Sequence, residues 1–141
     1  MEKITLVGGV IMGYALSLLG GGDTLLIGLG TLMAIDYAMG LMLGFMGKSA
    51  KTETGRLSSK AAGQGAFKKF AYILCVAAGV ALDCILGTEF IRNGAVVFFI
   101  SVEFMSICEN LGLMGIEVPP VFSQALELLQ KKGDDNEDKK G

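Results

Sequence analysis

The sequence predicts an all-α integral membrane protein with three to four transmembrane helices, and two observations carry that prediction. The chain of 141 residues is 52% hydrophobic with a mean hydropathy of +0.57, which is too apolar for a small soluble domain to cover its surface with polar groups. Residues 24–47 also contain a single charge, Asp36. An apolar run of about 20 residues matches the hydrocarbon core of a bilayer, so we predict one compact membrane domain.

Four apolar segments define the predicted order of helices within a membrane domain of residues 1–116. They cover about residues 4–22, 24–47, 70–88 and 93–116. The turn at residues 20–23 is rich in glycine, which helix tolerates poorly, so the first two segments are predicted to form a tight helical hairpin. The fourth segment crosses only if Glu103 and Glu109 are neutral, paired or facing water. If the first segment lies flat on the membrane, three spans remain.

The C-terminal part differs in composition from the membrane domain. Pro119 and Pro120 interrupt the helical pattern. Apolar residues then recur on one face, which predicts an interfacial amphipathic helix within residues 117–132. Residues 133–141 carry six charges and no apolar side chain, so we predict a disordered charged tail there.

Half of the chain's twelve Lys and Arg lie between residues 48 and 69, against the single acid Glu53. Because positively charged loops stay in the cytoplasm, this basic loop and the C-terminus are predicted to be cytoplasmic. The same charges attract anionic lipid head groups. Nucleic acid is not an expected partner, since Phe67 is the only aromatic residue between the cations. The predicted topology and lipid-binding residues are Lys48, Lys51, Arg56, Lys60, Lys68 and Lys69.

The residues that support enzyme chemistry are missing from the sequence. Histidine is absent, and Cys75, Cys84 and Cys108 are dispersed in or beside apolar segments, so neither a zinc site nor a disulfide framework is indicated. The chain also lacks a P-loop, a GxGxxG and a GxSxG sequence. We therefore expect no catalytic residues, no metal and no cofactor.

Each of the last three predicted helices has a stripe of polar or small residues on one side. The stripes are Asp36, Gly40, Gly44 and Gly47; Tyr72, Val76, Gly79 and Asp83; and Phe99, Glu103, Ser106 and Asn110. They are either packing faces inside a monomeric bundle, with protonated carboxyls as hydrogen-bonding groups, or faces toward other subunits or water. A charged carboxylate at the bilayer centre costs about 2.5–3.5 kcal/mol, which favours the second interpretation. Its candidate pore or oligomer-interface residues are Asp36, Tyr37, Gly40, Gly44, Asp83, Glu103, Ser106, Glu109 and Asn110.

Three classes of function fit these features. A lesion-forming oligomer and a small oligomeric ion channel or transporter both use acids within the membrane. A membrane anchor whose tail recruits a partner would instead tolerate exchange of its spans for unrelated helices.

Several blocks between about Leu29 and Lys132 are shared with a known family. They are Asp36-Tyr37 with Gly40, Leu57-Ser58-Ser59-Lys60 with Gly63, Gly65, Lys68 and Lys69, then Asp83, Arg92, the block from Glu103 to Asn110, Gly112 and Pro119-Pro120. Through these residues the chain resembles the bacteriophage holins of the toxin secretion/phage lysis type.

The resemblance implies a multi-pass protein of the host bacterial cytoplasmic membrane that forms homo-oligomers. Such a protein opens timed lesions that release endolysin or, in some relatives, a large toxin. Its expected partners are further copies of itself, the anionic lipid bilayer and, functionally, endolysin. We hypothesise that Asp36, Asp83 and Glu103 are buried by helix contacts in the dispersed state and exposed to an aqueous lumen after assembly.

Overall fold

The computed structural model describes residues 1–138, with side chains described through Gly133, and every regular element in these residues is a helix. The helices in chain order are α1 (Glu2–Leu18), α2 (Thr24–Phe45), α3 (Ser59–Leu86), α4 (Ile91–Met114) and α5 (Pro120–Asp138). Within the described residues, α2, α3 and α4 are long enough and apolar enough to cross a membrane. The prediction of an all-α membrane protein is therefore confirmed.

Local sequence accounts for where the spans begin and end. The Asp23 side chain accepts a hydrogen bond from the Leu26 backbone N–H at 3.0 Å and so caps α2. Ser58 caps α3 in the same way. Both α3 and α4 end at a glycine with positive φ, Gly87 at 67° and Gly115 at 80°, the backbone conformation that glycine adopts most readily.

Helix α3 begins at Ser59, eleven residues before the predicted span of residues 70–88. The Ser58 cap and a stretch rich in alanine favour helix there. The basic segment is therefore a loop only as far as residue 58. Lys60, Lys68 and Lys69 belong to the helix.

Helix α1 has 17 residues, and none of them is buried. Only its C-terminal end reaches the bundle, where Leu16 and the following Leu19 pack against the core. Added Cβ atoms at Gly9 and Gly13 would meet nothing within 4 Å, so these two glycines serve no close contact within the chain. A crossing of the bilayer by this first segment stays a prediction.

The core lies where α2, α3 and α4 meet. Helix α4 packs against both neighbours, whereas α3 touches α2 only sparingly. The buried cluster consists of Leu26, Leu29, Val76, Val96 and Ile100. Large apolar side chains such as Ile27, Phe70 and Phe98 are exposed on the outside of the bundle, as expected for surfaces that face lipid.

Helix α5 turns back and packs against α4. The rings of Phe104 and Phe122 lie 5.1 Å apart, and Leu129 packs against the core, while Val121 and Leu128 stay exposed. Part of the predicted interfacial face is thus used inside the protein.

Helix α5 continues to Asp138 and so includes residues 133–138 of the predicted tail, while the disorder predicted for residues 133–141 stays a prediction. No proline after Pro120 blocks the helix. Residues 139–141 lie outside the described part of the chain.

Arg92 links the α1–α2 turn to the N-terminus of α4. Its guanidinium makes a bidentate ion pair with Asp23, in which Nη2 lies 3.1 Å from Oδ1. Its Nε donates to the Leu19 carbonyl oxygen at 3.0 Å. Arg92 is only 7% exposed, so the α1–α2 turn is held to the start of α4 by a nearly buried cation.

Asp83 completes this end of the bundle by capping α4. Its carboxylate accepts hydrogen bonds from the backbone N–H of Ile91 at 3.1 Å and of Arg92 at 2.9 Å. The Thr88 hydroxyl donates to the same carboxylate at 2.6 Å. A Cβ added to Gly79 would stand 3.0 Å from the Arg92 Cα, so only glycine permits this approach of α3 to α4.

We predict that Arg92→Gln destabilises the protein by about 1–3 kcal/mol, the usual cost of leaving a partly buried hydrogen-bonding group unsatisfied. Chemical unfolding of the full chain in a mild detergent measures the loss. Arg56→Gln, which removes an exposed guanidinium, is the matched control and should change stability by less than about 0.5 kcal/mol. Equal stability of the two variants would contradict a structural role for Arg92.

The Asp23–Arg92 ion pair predicts that the stability of the protein depends on pH in the acidic range. Hydrogen bonding from the Arg92 guanidinium holds the pKa of Asp23 below its ordinary value. Its stabilisation is therefore complete above the unfolded pKa of about 3.9 and is lost as pH falls through the lower folded pKa. Asp23→Asn should remove this part of the acid-induced loss of stability in unfolding curves measured from pH 7 to pH 2. An unchanged pH profile would contradict it.

Candidate functional site

The candidate site is a buried ion network that joins the middle of α2 and of α4 to the first half of α3. The Lys69 ammonium on α3 lies 2.8 Å from Oδ2 of Asp36 on α2. It also pairs with Oε2 of Glu103 on α4. Asp36 and Glu103 are each only 3% exposed. One lysine thus connects buried carboxylates from both neighbouring helices.

Asn110 completes the coordination of Asp36. Its Nδ2 donates to Asp36 Oδ1 at 2.9 Å, and both residues are buried. Glu103 and Asn110 are seven residues apart on α4, two helical turns, so they face the same side. Both carboxylate oxygens of Asp36 consequently have a side-chain partner, one from each neighbouring helix.

The network carries two negative charges and one positive charge. Buried ion pairs need good geometry and further hydrogen bonds to offset the loss of hydration, and removal of one partner from a buried pair typically costs about 3–5 kcal/mol. Lys69 and Asn110 supply this compensation for Asp36. The arrangement can hold three helices together, yet one net negative charge remains within the bundle.

A cavity of about 380 Å³ adjoins the network, and the loop that joins α2 and α3 forms part of its wall. Lys69, Asp36 and Glu103 also contribute to the wall. The Lys51 ammonium lies beside Gly40, since a Cβ added to Gly40 would stand 3.9 Å from Lys51 Nζ. The cavity therefore connects the buried network with the basic loop.

Glycines on α2 allow the loop between α2 and α3 to approach this helix closely. The Gly44 carbonyl accepts a hydrogen bond from the Leu57 N–H at 3.0 Å. A Cβ at Gly44 would lie 3.0 Å from the Leu57 Cα. Gly40 and Gly44 both line the cavity, so their small size serves a contact within this chain.

The structure brings together most of the predicted pore or interface residues. The residues that line the cavity or bind within the network are Asp36, Tyr37, Gly40, Gly44, Glu103, Ser106, Glu109 and Asn110. Asp83 is the exception: it lies fourteen residues beyond Lys69 on α3, about 21 Å along the axis, where it caps α4. The polar stripes thus face the interior of a single chain, as the packing interpretation expects, and Lys69 is the ion-pair partner of both Asp36 and Glu103.

The basic segment predicted lipid head groups as the partners of Lys69, whereas in the structure Lys69 pairs with Asp36 and Glu103. Helical periodicity could have predicted that Lys69 faces the interior, because Lys69, Tyr72 and Val76 recur at helical spacing on one face. Tyr72 and Val76 on that face are buried. Its neighbour Lys68 is exposed and lies 5.8 Å from the centre of the Tyr72 ring. Asp23 and Arg92 have opposite charges and lie in two connections that are expected on the same side of the membrane. Their ion pair could therefore also have been predicted from the sequence.

These features define a polytopic helical membrane protein whose spans are joined by a buried ion network and, at the start of α4, by a buried arginine. The sequence matches the bacteriophage holin family over residues 13–131. The chain belongs to this family, whose members are membrane proteins and not enzymes.

Relatives of similar length occur in several bacteria. The chain is 36% identical to the uncharacterized protein Lin0175 of Listeria innocua, over 97% of this chain and 92% of the relative. It is 35% identical to the uncharacterized protein BH0965 of Halalkalibacterium halodurans, over 96% and 99% of the two chains. A Clostridium perfringens protein described as lying in the nagH 3′ region is 31% identical over 80% and 82%. No solved structure matches the chain.

We predict that Lys69→Met lowers stability by about 3–5 kcal/mol, because two carboxylates lose their buried counter-charge. Adding Asp36→Asn and Glu103→Gln to that variant should restore most of the loss, since no unpaired charge then remains. Thermal unfolding in detergent measures both effects. Lys68→Met, a neighbouring exposed lysine, is the control. A triple variant as unstable as the single one would show that the charges of the network do not set stability.

Proposed function

We propose that this holin accumulates in the host cytoplasmic membrane as closed bundles and then self-associates into timed lesions that release endolysin or, as a second cargo class, a large toxin. The observation that carries the proposal is the pairing of two buried carboxylates with one lysine inside the bundle of spans. Charges within a membrane are expensive unless paired or in contact with water. A lumen filled with water would remove that cost after the helices separate.

The packing of α3 supports an opening at this network. Helix α3 packs mainly on α4 and makes few contacts with α2, so the Asp36–Lys69 ion pair is a main link between α2 and α3. Separation of these helices would place Asp36, Lys69 and Glu103 at a wet surface. Asp83 would stay with α4, whose N-terminus it caps.

The proposed orientation places the basic segment and the C-terminus in the cytoplasm. Its support is the positive charge of residues 48–69. In this orientation Lys48, Lys51 and Lys60 lie near anionic lipid head groups, which would attract them.

An ion channel or transporter is the second candidate, favoured by the cavity that reaches buried carboxylates. In one chain, however, Leu29, Val76 and Val96 are completely buried between that cavity and Arg92. A pathway across the membrane therefore needs either rearranged helices or several chains.

We predict that Asp36→Asn and Glu103→Gln each delay lysis, because each leaves Lys69 with one carboxylate and makes the closed network neutral. Lys69→Gln should advance lysis, because it leaves both carboxylates without a counter-charge. Optical density after induction gives the lysis time, and membrane fractionation verifies insertion. Glu117→Gln, at an exposed acid outside the bundle, should keep wild-type timing. Normal timing in all three network variants would contradict the proposal.

Lesion size separates the two candidate functions. The protein is induced in a bacterium that carries a cytoplasmic endolysin without a signal sequence, and membrane potential and optical density are followed together. We expect abrupt, delayed depolarisation followed by clearing that depends on endolysin. Gradual depolarisation without clearing would instead indicate a small channel.

A further inference from the structure

We propose that the cavity beside the ion network binds the phosphodiester of an anionic phospholipid through Lys51, Arg56 and Lys68. This inference requires the spans to lie in a bilayer but does not require lesion formation. The two proposals can therefore fail separately.

The volume and the hydroxyl groups of the cavity suit a small polar group. Its volume of about 380 Å³ falls within the range of roughly 300–1,000 Å³ that is common for ligand sites. The wall includes the hydroxyl groups of Ser49 and Ser58. Their oxygens accept hydrogen bonds from the backbone N–H groups of Lys51 and Ala61, which leaves the hydroxyl hydrogens to donate to an anion.

The charges of the cavity complement a phosphodiester. Four cations and three carboxylates line it, and a phosphodiester carries the single negative charge that would balance the difference. Asp36 and Glu103 are already bound by Lys69. Within the described residues, Lys51, Arg56 and Lys68 form no ion pair with a carboxylate. These three cations are therefore positioned to bind an anion.

The position of the cavity favours a lipid over a dissolved anion. It extends from the middle of α2 and α4 to Ser49, Lys51 and Arg56 of the basic loop, and this loop is expected at the level at which a bilayer places its phosphates. Leu41 and Met105 contribute apolar surface to the wall. At the same end of the spans, Phe45 and Phe70 are 78% and 58% exposed, as expected for side chains beside acyl chains.

Native mass spectrometry of the full chain in a neutral detergent tests the site. The protein is titrated with phosphatidylglycerol and, separately, with phosphatidylcholine of the same acyl chains. We expect retention of phosphatidylglycerol in preference to phosphatidylcholine. Lys51→Gln with Arg56→Gln should lower this retention by about tenfold or more, given the attraction of each cation for an anionic head group. The same change in charge at Lys48 and Lys60, which do not line the cavity, should lower it much less.

A variant that changes volume without changing charge gives an independent test. Gly40→Leu would fill the cavity from α2 and should also lower retention. Gly30→Leu is its control, because a Cβ at Gly30 meets nothing within 4 Å. Circular dichroism verifies that each variant stays helical.

Three results would overturn the proposal. Equal loss in the two double variants would show general attraction of the basic segment. Equal retention of the two lipids would show that the negative charge is not recognised. Displacement of phosphatidylglycerol by an equal concentration of glycerol 3-phosphate would assign the cavity to a dissolved phosphate ester.

Discussion

A single ammonium group has to balance two carboxylates that the fold buries on different helices. Asp36 and Glu103 both depend on Lys69, and Asp36 depends in addition on Asn110. The packing of α2, α3 and α4 around Lys69 follows from this requirement, since displacement of any one helix would leave a charge without its partner inside the bundle. The network consequently links the three spans. It is also the place where separation of the helices has the largest electrostatic effect.

Different contacts stabilise the end of the bundle where α4 begins. Arg92 binds Asp23 and the Leu19 carbonyl, while Asp83 caps α4 through backbone hydrogen bonds. Between the ion network and Arg92 the interior is apolar, with Val76 and Val96 fully buried. These two polar clusters hold a closed bundle together, and its lipid-facing side remains available to further copies of the chain. This arrangement suits a holin that is inserted before it acts.

Hydropathy predicted the helical membrane class, because span length and the scarcity of charge are local properties. Helical periodicity predicted which sides of α3 and α4 are polar or small. On α4 that side contacts Asp36 through Asn110, whereas Gly79 and Asp83 of the α3 side lie against the start of α4. The partner of Asp36 was not predicted, because Lys69 lies in a run of cations whose simplest interpretation is contact with lipid. Pairing between residues 33 positions apart depends on how the helices pack. The start of α3 at Ser59 was missed for a related reason: charge density suggested a loop where a serine cap and alanines form helix.

The central claim is that α2, α3 and α4 separate along their polar faces when lesions form. A cysteine at Val76, which is completely buried among these helices, reports that event directly. The three native cysteines are first replaced by alanine, and reaction of Val76→Cys with a membrane-permeant maleimide is followed through induction. Lys60→Cys, on an exposed part of α3, serves as the always-reactive reference. We predict that Val76→Cys is unreactive until depolarisation and reactive afterwards. Protection that persists through lysis would contradict the claim, because the lesions would then be built from intact bundles.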